Sequence, residues 1–268
     1  MGIAHGNFTF DTALAAYDLN PSQSDYPVSK LATNFLGKTV DDGDAAACAE
    51  ALWDLKSALL SELEKQKMAK LYFKYGAMGT SKTAQALITK YNYEENDMKV
   101  WLIKPSADVR DGISILRSRI GLQAEVQVIT PEQDVYSVFT QSKLGGCDVI
   151  IVDECQFMTP AQIDQLRAIV DDFNVPVMCF GLRTDFRTKL FPGSMRLMEL
   201  ADAIEEIKTM CDCGAKATVN ARIDCNGHIV TEGAQVVLGG NDSYIAMCHR
   251  CYIRGIRERK KIKLHGQN

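Results

Sequence analysis

Residues Lys70 to Leu87, KLYFKYGAMGTSKTAQAL, have the pattern of a buried strand, a glycine-containing turn and the start of a helix. The apolar and aromatic run from Leu71 to Tyr75 is typical of a core strand. The octapeptide from Gly76 to Thr83 then fits the phosphate-loop spacing G-x-x-x-x-G-K-[ST] at every defining position except the second glycine, which is Ser81 here. The stretch therefore predicts a nucleotide-binding α/β domain.

Phosphate loops bind polyphosphates because backbone N–H groups and the positive end of the following helix converge on one point. Lys82 would neutralise the outer phosphates, and Thr83 would offer its hydroxyl to Mg²⁺, which prefers oxygen ligands. An ordinary strand-turn-helix with a solvated lysine is the alternative for this stretch taken alone. The residues predicted to contact ATP here are Gly76, Ala77, Met78, Gly79, Thr80, Ser81, Lys82 and Thr83.

Composition limits the class of protein. The chain has 268 residues, 46% of them hydrophobic and 24% charged, with a net charge of −4. These values indicate a globular protein, and the negative net charge argues against non-specific nucleic-acid binding as the main activity. No run approaches the ~18 apolar residues of a membrane span, and no secretion signal is visible, so we expect a cytoplasmic protein without membrane attachment. Nine cysteines, an odd number, favour reduced thiols and metal ligation over a disulfide framework.

Strands alternate with helices after residue 67, which predicts a parallel sheet covered on both faces, a P-loop fold of the RecA-like kind. The predicted strands include 99–104, 125–129, 148–152 and 175–182, and the helices 83–95, 131–143 and 159–172. Residues 1–43 lack periodicity and are predicted to be a poorly ordered or loosely docked arm, followed by an amphipathic helix at 44–67. The predicted organisation is an N-terminal extension (1–67), a phosphate-loop nucleotide-binding domain (68–208), a zinc-binding segment (209–253) and a basic tail (254–268).

An apolar strand delivers two carboxylates, Asp153 and Glu154, at its carboxyl end. In phosphate-loop proteins an aspartate at this place holds Mg²⁺ directly or through water. Glu154 could accept a proton from a hydroxyl that attacks the γ-phosphate, and a solvated acid is the alternative. The polar turn from Pro105 to Arg110 also follows a strand end, where open α/β sheets place ligand-binding side chains.

Four cysteines form two close pairs, CDCG and CHRC, separated by a segment rich in turn and strand residues. Two such pairs can make a tetrahedral thiolate site for a structural zinc ion. The first pair has C-x-C spacing, so His249, Cys225 and Asp212 are possible substitutes, and a redox pair is the rival interpretation. The predicted zinc ligands are Cys211, Cys213, Cys248 and Cys251.

Taken together, these residues resemble the type II thymidine kinases, and especially the bacterial branch of that family. The resemblance runs from about Met68 to Tyr252 and includes the C-x-C form of the first cysteine pair. It is carried by the phosphate loop, the turn Asp108-Val109-Arg110, the motif VDECQF from Val152, GLRTDFR from Gly181, KTMCDCG, and VVLGGNDSY before CHRCY. Ser81 and Asn220 depart from the family pattern, since many members carry glycine and threonine there.

The resemblance implies Mg²⁺-dependent transfer of the ATP γ-phosphate to the 5′-hydroxyl of thymidine, or of deoxyuridine. It implies that Glu154 is the general base, with Arg110 near the transferred phosphate, Asp108 and Asp153 at Mg²⁺, and Gln156 in the ATP site. Stacked aromatic side chains would hold the base and exclude water. The implied nucleoside-binding residues are Met78, Phe157, Leu182, Phe186, Val237, Leu238, Gly239 and Tyr244.

In this family the segment between the cysteine pairs closes over the thymine, so the zinc would anchor both of its ends. The resemblance also implies a homotetramer with dTTP as feedback inhibitor. A second hypothesis is a phosphate-loop ATPase that acts on nucleic acid through the zinc ribbon and the basic tail. The alternative for the tail by itself is a solvated helix end. The third hypothesis is a zinc-ribbon binding module whose phosphate loop no longer binds nucleotide.

Overall fold

The computed structural model describes residues 11–20, 25–108, 114–141, 146–235 and 244–265. The chain forms two units, residues 1–68 and residues 69–268. The second unit contains the phosphate-loop stretch and is described first.

A six-stranded parallel sheet forms the centre of the described part of the second unit, with strand order β5-β2-β6-β7-β1-β8. Its strands are rich in β-branched and aromatic residues, and those in the middle are buried on both faces, as a sheet covered by helices requires. The predicted α/β fold with a parallel sheet is therefore confirmed. The strands are β1 (Leu71–Gly76), β2 (Val100–Pro105), β5 (Gln127–Ile129), β6 (Val149–Val152), β7 (Val177–Gly181) and β8 (Ala203–Ile207), and a separate ribbon joins β3 (Ile115–Arg117) to β4 (Gln123–Glu125).

Helices cover both faces of the sheet and bury two apolar clusters, one centred on Phe73, Ile150 and Ile163 and the other on Ala86, Leu102 and Phe180. Thr159 caps one of these helices in a capping box with Gln162. The helices of this unit are α4 (Lys82–Glu94), α5 (Val135–Gln141), α6 (Pro160–Phe173), α7 (Pro192–Leu200) and α8 (His249–His265), with a 3₁₀ turn at Cys155–Phe157.

Two of the predicted boundaries differ from the structure by more than two residues. The helix predicted from residue 131 begins at Val135, because Asp134 accepts a hydrogen bond from the Ser137 N–H and caps the helix there. The basic residues from 254 onward belong to α8, which already starts at His249.

A three-stranded antiparallel sheet, in the order β10-β9-β11, follows the large sheet. It consists of β9 (Val219–Ile223), β10 (Ile229–Val230) and β11 (Tyr244–Met247). Its small apolar core contains Val219, Ala221, Ile229 and Tyr252, the last of these from α8. Residues 236–243, between β10 and β11, lie outside the described residues.

The first unit contains α1 (Thr12–Leu19), α2 (Val28–Leu31), a π-helical turn (Ala32–Leu36) and α3 (Ala45–Lys67). Within the predicted arm, residues 11–20 and 25–43 therefore contain two helices and a π-helical turn. Leu31, Ala15 and Ala16 are buried against Leu55 and Leu59 of α3, which provides the apolar partner that a short helix lacks by itself. Residues 1–10 and 21–24 lie outside the described residues.

Helix α3, Ala45–Lys67, lies within the segment predicted as an amphipathic helix at 44–67. Asp44 caps this helix, because its carboxylate accepts hydrogen bonds from the N–H groups of Ala46 and Ala47. Among the described residues of both units, none of the helices has the length and apolar character needed to cross a membrane.

Candidate active site

The phosphate loop connects β1 to α4, and two of its glycines are required by the backbone. A Cβ on Gly76 would lie 2.6 Å from the carbonyl oxygen of Ile207, and Gly79 has a φ of +77°. Ser81, at the predicted second-glycine position, has a φ of −77° and a ψ of 27°. This backbone conformation is open to any residue, so serine causes no strain at that position.

Lys82 is held directly over the loop. Its ammonium donates to the carbonyl oxygen of Ala77 at 2.8 Å, to that of Gly76 at 3.2 Å and to the Thr80 hydroxyl at 3.0 Å. Only 6% of the residue is exposed. A positive charge is thus fixed beside the N-terminus of α4, where an anion is favoured by the helix dipole.

The loop and the end of β6 meet at one hydrogen bond. The Thr83 hydroxyl donates to the Asp153 carboxylate at 2.8 Å, and Asp153 is almost fully buried. The two residues are 70 positions apart in the sequence, so the fold itself brings them together. A hydroxyl and a carboxylate are the hard oxygen ligands that suit Mg²⁺.

Glu154 follows Asp153 in a left-handed backbone conformation, with a φ of 50°. Such a conformation is unfavourable for a residue with a side chain and often marks a functional site. The Gln156 amide donates to the Glu154 carboxylate and its oxygen accepts from the Leu182 N–H at 2.9 Å. Gln156 is 1% exposed, so it fixes the Glu154 carboxylate from inside the protein.

Asp108 lies beyond the end of β2, the strand that pairs with β6, so it shares the carboxyl edge of the sheet with Asp153. Its carboxylate is 3.8 Å from the ammonium of Lys104, which is fully buried and also donates to the Ile115 carbonyl at 3.1 Å. Sequence reasoning missed Lys104 because a lysine in a strand is ordinarily exposed, and only its burial reveals its role as counter-charge.

The described aromatic residues of the predicted nucleoside pocket come from three parts of the chain. Phe157 packs edge-on against Phe191, with ring centroids 5.7 Å apart. Phe186 and Tyr244 both contact the guanidinium of Arg222, which is 3.8 Å from the centroid of the Phe186 ring. Arg222 and Phe191 are residues that sequence reasoning missed.

Asn220 joins the loop to the small sheet. Its side-chain oxygen accepts from the Met78 N–H at 2.7 Å, and its amide donates to the Thr184 carbonyl at 3.0 Å. Both ends of this buried amide are hydrogen-bonded within the protein. Asn220, one of the two departures from the family pattern, therefore supports the turn that contains Met78.

Four sulfur atoms form a cluster at the base of the small sheet. The Sγ atoms of Cys211, Cys213, Cys248 and Cys251 all lie within 4.8 Å of one another. A tetrahedral zinc ion with Zn–S bonds of about 2.3 Å separates its sulfur ligands by roughly 3.8 Å, so the set fits zinc. The exposed Cys225 lies outside this cluster.

Backbone hydrogen bonds favour thiolates in part of the cluster. N–H groups of Cys213 and Cys248 lower the pKa of Cys211 to about 7, and the Cys251 N–H lowers the pKa of Cys248. Hydrogen bonding to Cys213 raises the pKa of Cys251 to about 12. Without a cation the four thiols cannot all ionise, whereas a metal ion would stabilise four thiolates.

A family model described as thymidine kinase matches residues 69–252. The chain belongs to the thymidine kinase family. The match starts at the first residue of the second unit and covers the phosphate loop, β6 and both cysteine pairs.

Bacterial thymidine kinases are similar over the same part of the chain. That of Ruegeria pomeroyi is 45% identical over 185 residues, which is 68% of this chain and 93% of the relative. That of Chromobacterium violaceum is 46% identical over 185 residues, 69% of this chain and 98% of the relative. That of Legionella pneumophila strain Lens is 44% identical over 190 residues, 70% of this chain and 91% of the relative. The predicted resemblance to bacterial type II thymidine kinases is confirmed.

The structure brings together the predicted residues Lys82, Thr83, Asp153 and Glu154 through the contact of the loop with the end of β6. Gln156 has both ends of its amide engaged away from the loop, which favours a positioning role over the predicted ATP contact. The predicted residues Arg110, Val237, Leu238 and Gly239 lie outside the described residues. The assigned roles of the individual residues stay predictions.

The burial of Asp153 leads to a prediction about stability. Desolvation, with a smaller contribution from the charge of Glu154, raises the pKa of Asp153 from 3.8 to about 7. The folded protein therefore binds a proton that the unfolded chain releases, and this contribution to stability is lost as the pH rises from about 4 to 7. We expect Asp153→Asn to raise the Tm of the protein, without added Mg²⁺ or nucleotide, by about 5 °C at pH 8 and much less at pH 5.

Scanning calorimetry at the two pH values measures this difference. Asp171→Asn is the matched control, because a hydrogen bond from Arg167 lowers the pKa of Asp171. That substitution should leave the Tm unchanged or lower it at pH 8. A lower Tm for Asp153→Asn at pH 8 would contradict the prediction.

Proposed function

We propose that this protein transfers the γ-phosphate of ATP to the 5′-hydroxyl of thymidine, giving dTMP for nucleotide salvage. The observation that carries the proposal is the hydrogen bond between Thr83 of the phosphate loop and Asp153 of β6, with Glu154 as the next residue. It puts phosphate-binding groups and a candidate base at one edge of the sheet. Family membership supplies the nucleoside as the acceptor.

Lys82 and the first turn of α4 would bind the phosphates of ATP. Thr83 and Asp153, with Asp108 beyond the neighbouring strand, would hold Mg²⁺ by their oxygen atoms. Bound Mg²⁺ would neutralise charge on the phosphates. Arg110 is proposed to bind the transferred phosphoryl group.

Glu154 is proposed as the general base. Its carboxylate would accept the proton of the 5′-hydroxyl as that oxygen attacks the γ-phosphate. The hydrogen bond from Gln156 holds one oxygen of the carboxylate and so fixes the orientation of the whole group. Only 8% of Glu154 is exposed, so the proton would be transferred away from bulk water.

The nucleoside would lie against Met78, Phe157, Leu182, Phe186 and Tyr244, where aromatic and apolar side chains exclude water. Val237, Leu238 and Gly239 are proposed to complete this pocket. The four-cysteine cluster is proposed to hold one structural Zn²⁺ that anchors the small sheet. We also propose a cytoplasmic homotetramer inhibited by dTTP.

The decisive experiment measures ATP consumption by the purified chain with Mg²⁺ and, in turn, thymidine, deoxyuridine, deoxycytidine, DNA or no addition. Consumption that depends on thymidine, with dTMP as product, supports the proposal, and the deoxyuridine reaction defines the breadth of base recognition. Stimulation by DNA with thymidine inert would contradict it and favour the nucleic-acid ATPase, for which the comparisons give no support.

A further inference from the structure

Strand β9 has two buried faces of different character. Val219 and Ala221 face the apolar core of the small sheet, together with Ile229 and Tyr252. The alternate residues Asn220 and Arg222 are polar and are also buried, with exposed fractions of 4% and 7%. Since side chains alternate along a strand, the polar pair shares one face, and the contacts of that face are made with predicted site residues.

Arg222 makes three kinds of contact on that face. Its Nε donates to the Tyr244 hydroxyl at 2.8 Å, and its Nη2 donates to the Gln235 carbonyl at 3.2 Å. Its guanidinium carbon lies 3.8 Å from the centroid of the Phe186 ring. The planar fork of arginine can satisfy two acceptors while it stacks on a ring, and lysine cannot do both.

These contacts restrain side chains that are far apart in the sequence. Phe186 is additionally fixed through its backbone, because the Tyr252 hydroxyl donates to its carbonyl at 2.9 Å. Gln235 in turn donates to the Asp185 carboxylate at 3.3 Å, so the residue before Phe186 joins the same network. One face of the Phe186 ring is covered by the guanidinium, which limits the surface it can present to a nucleoside.

We propose that Arg222 positions Phe186 and Tyr244 and thereby sets the affinity for the nucleoside. The inference rests on the proposed function, because it gives these two aromatic residues their ligand. Arg222 acts through its neighbours and is not itself a catalytic residue. The guanidinium of Arg222 is buried, and its hydrogen bonds and its ring contact restrain the orientation of the side chains around it.

The test compares Arg222→Lys and Arg222→Met in the full-length protein. We expect the thymidine KM to rise about 10-fold or more in Arg222→Met and by a smaller factor in Arg222→Lys. The ATP KM and kcat should stay within about threefold, since Arg222 touches neither the phosphate loop nor Glu154 in its described contacts. A similar fall in ATP and thymidine use would indicate general damage to the fold and would contradict the inference.

A double-mutant cycle separates positioning from general stability. Tyr244→Phe removes the hydroxyl that Arg222 binds, so Arg222→Met should raise the thymidine KM less in that background than in the original protein. Full additivity would contradict the inference. Arg167→Lys is the matched control, because the guanidinium of Arg167 binds the carboxylates of Asp171 and Asp202. Loss of this guanidinium should affect the Tm without changing the thymidine KM.

The original protein must phosphorylate thymidine in the same assay. If it does not, the proposed function fails and the inference fails with it. If it does, and the thymidine KM is unchanged in both Arg222 variants, only the inference is overturned.

Discussion

Glu154→Gln is expected to lower kcat for thymidine phosphorylation by roughly 100-fold or more while the ATP affinity changes little. Glutamine has nearly the same shape as glutamate and can keep the left-handed backbone of residue 154. It lacks the carboxylate that accepts the proton. The loss should therefore appear in the chemical step and not in nucleotide binding.

The local structure strengthens this expectation. Glu154 lies beside the buried Asp153, and the charges of the two carboxylates oppose each other, which contributes to the raised pKa of Asp153. Removing one charge by Glu154→Gln should ease that repulsion, so the variant should be at least as stable as the original protein. A decrease in activity together with an unchanged or higher Tm would be the sign of a lost base.

Steady-state kinetics and equilibrium ATP binding, for example by calorimetry, measure the two parts separately. Glu199→Gln is the matched control, because Glu199 is a surface carboxylate on α7 that pairs with Arg196. It should leave kcat unchanged. Near-normal turnover in Glu154→Gln would remove the proposed role of the carboxylate.

Cys211→Ser and Cys248→Ser are each expected to lose about one equivalent of zinc per chain and at least about 10-fold in kcat/KM for thymidine. The cysteine pairs stand before β9 and after β11, two paired strands whose shared core is small. A sheet with so few apolar contacts depends on its metal for folding energy. Because Tyr244 and Arg222 lie on these strands, loosening them should disturb nucleoside binding first.

Metal analysis and thymidine kinetics on the same preparations test this expectation. Cys225→Ser is the control, since Cys225 is exposed and its sulfur is not in the cluster. It should keep both zinc and activity. A metal-free protein with full activity would contradict the proposed anchoring role, and zinc retained by both cluster variants would contradict the ligand assignment.

Predictions from sequence were most successful where the signal is contained in a short stretch. The apolar strand that ends at Gly76, the one that ends just before Asp153, and the helix beginning at Pro160 follow from periodicity, capping and turn residues that neighbour each other in the chain. The N-terminal unit was harder. Its helices α1 and α2 are short, with eight and four residues, and they are stabilised by Leu55 and Leu59 of α3, a partner that local periodicity does not reveal.

The sequence by itself determined the parallel α/β fold, the phosphate loop with Lys82 and Thr83, the carboxylates Asp153 and Glu154, and the four cysteines. These features depend on fixed spacings along the chain, so they can be recognised without coordinates. Only the tertiary structure decided the roles of a second group of side chains. That group consists of Lys104, Gln156, Asn220 and Arg222, all buried and polar.

The physical reason is that a buried polar group is defined by its partners, which come from elsewhere in the chain. Gln156 reaches Leu182, Asn220 reaches Met78, and Arg222 lies on Phe186. A strand such as β9 alternates apolar and polar residues, and the pattern alone would assign the polar face to water. Folding instead buries that face against the active-site segments, where hydrogen bonds replace the lost water.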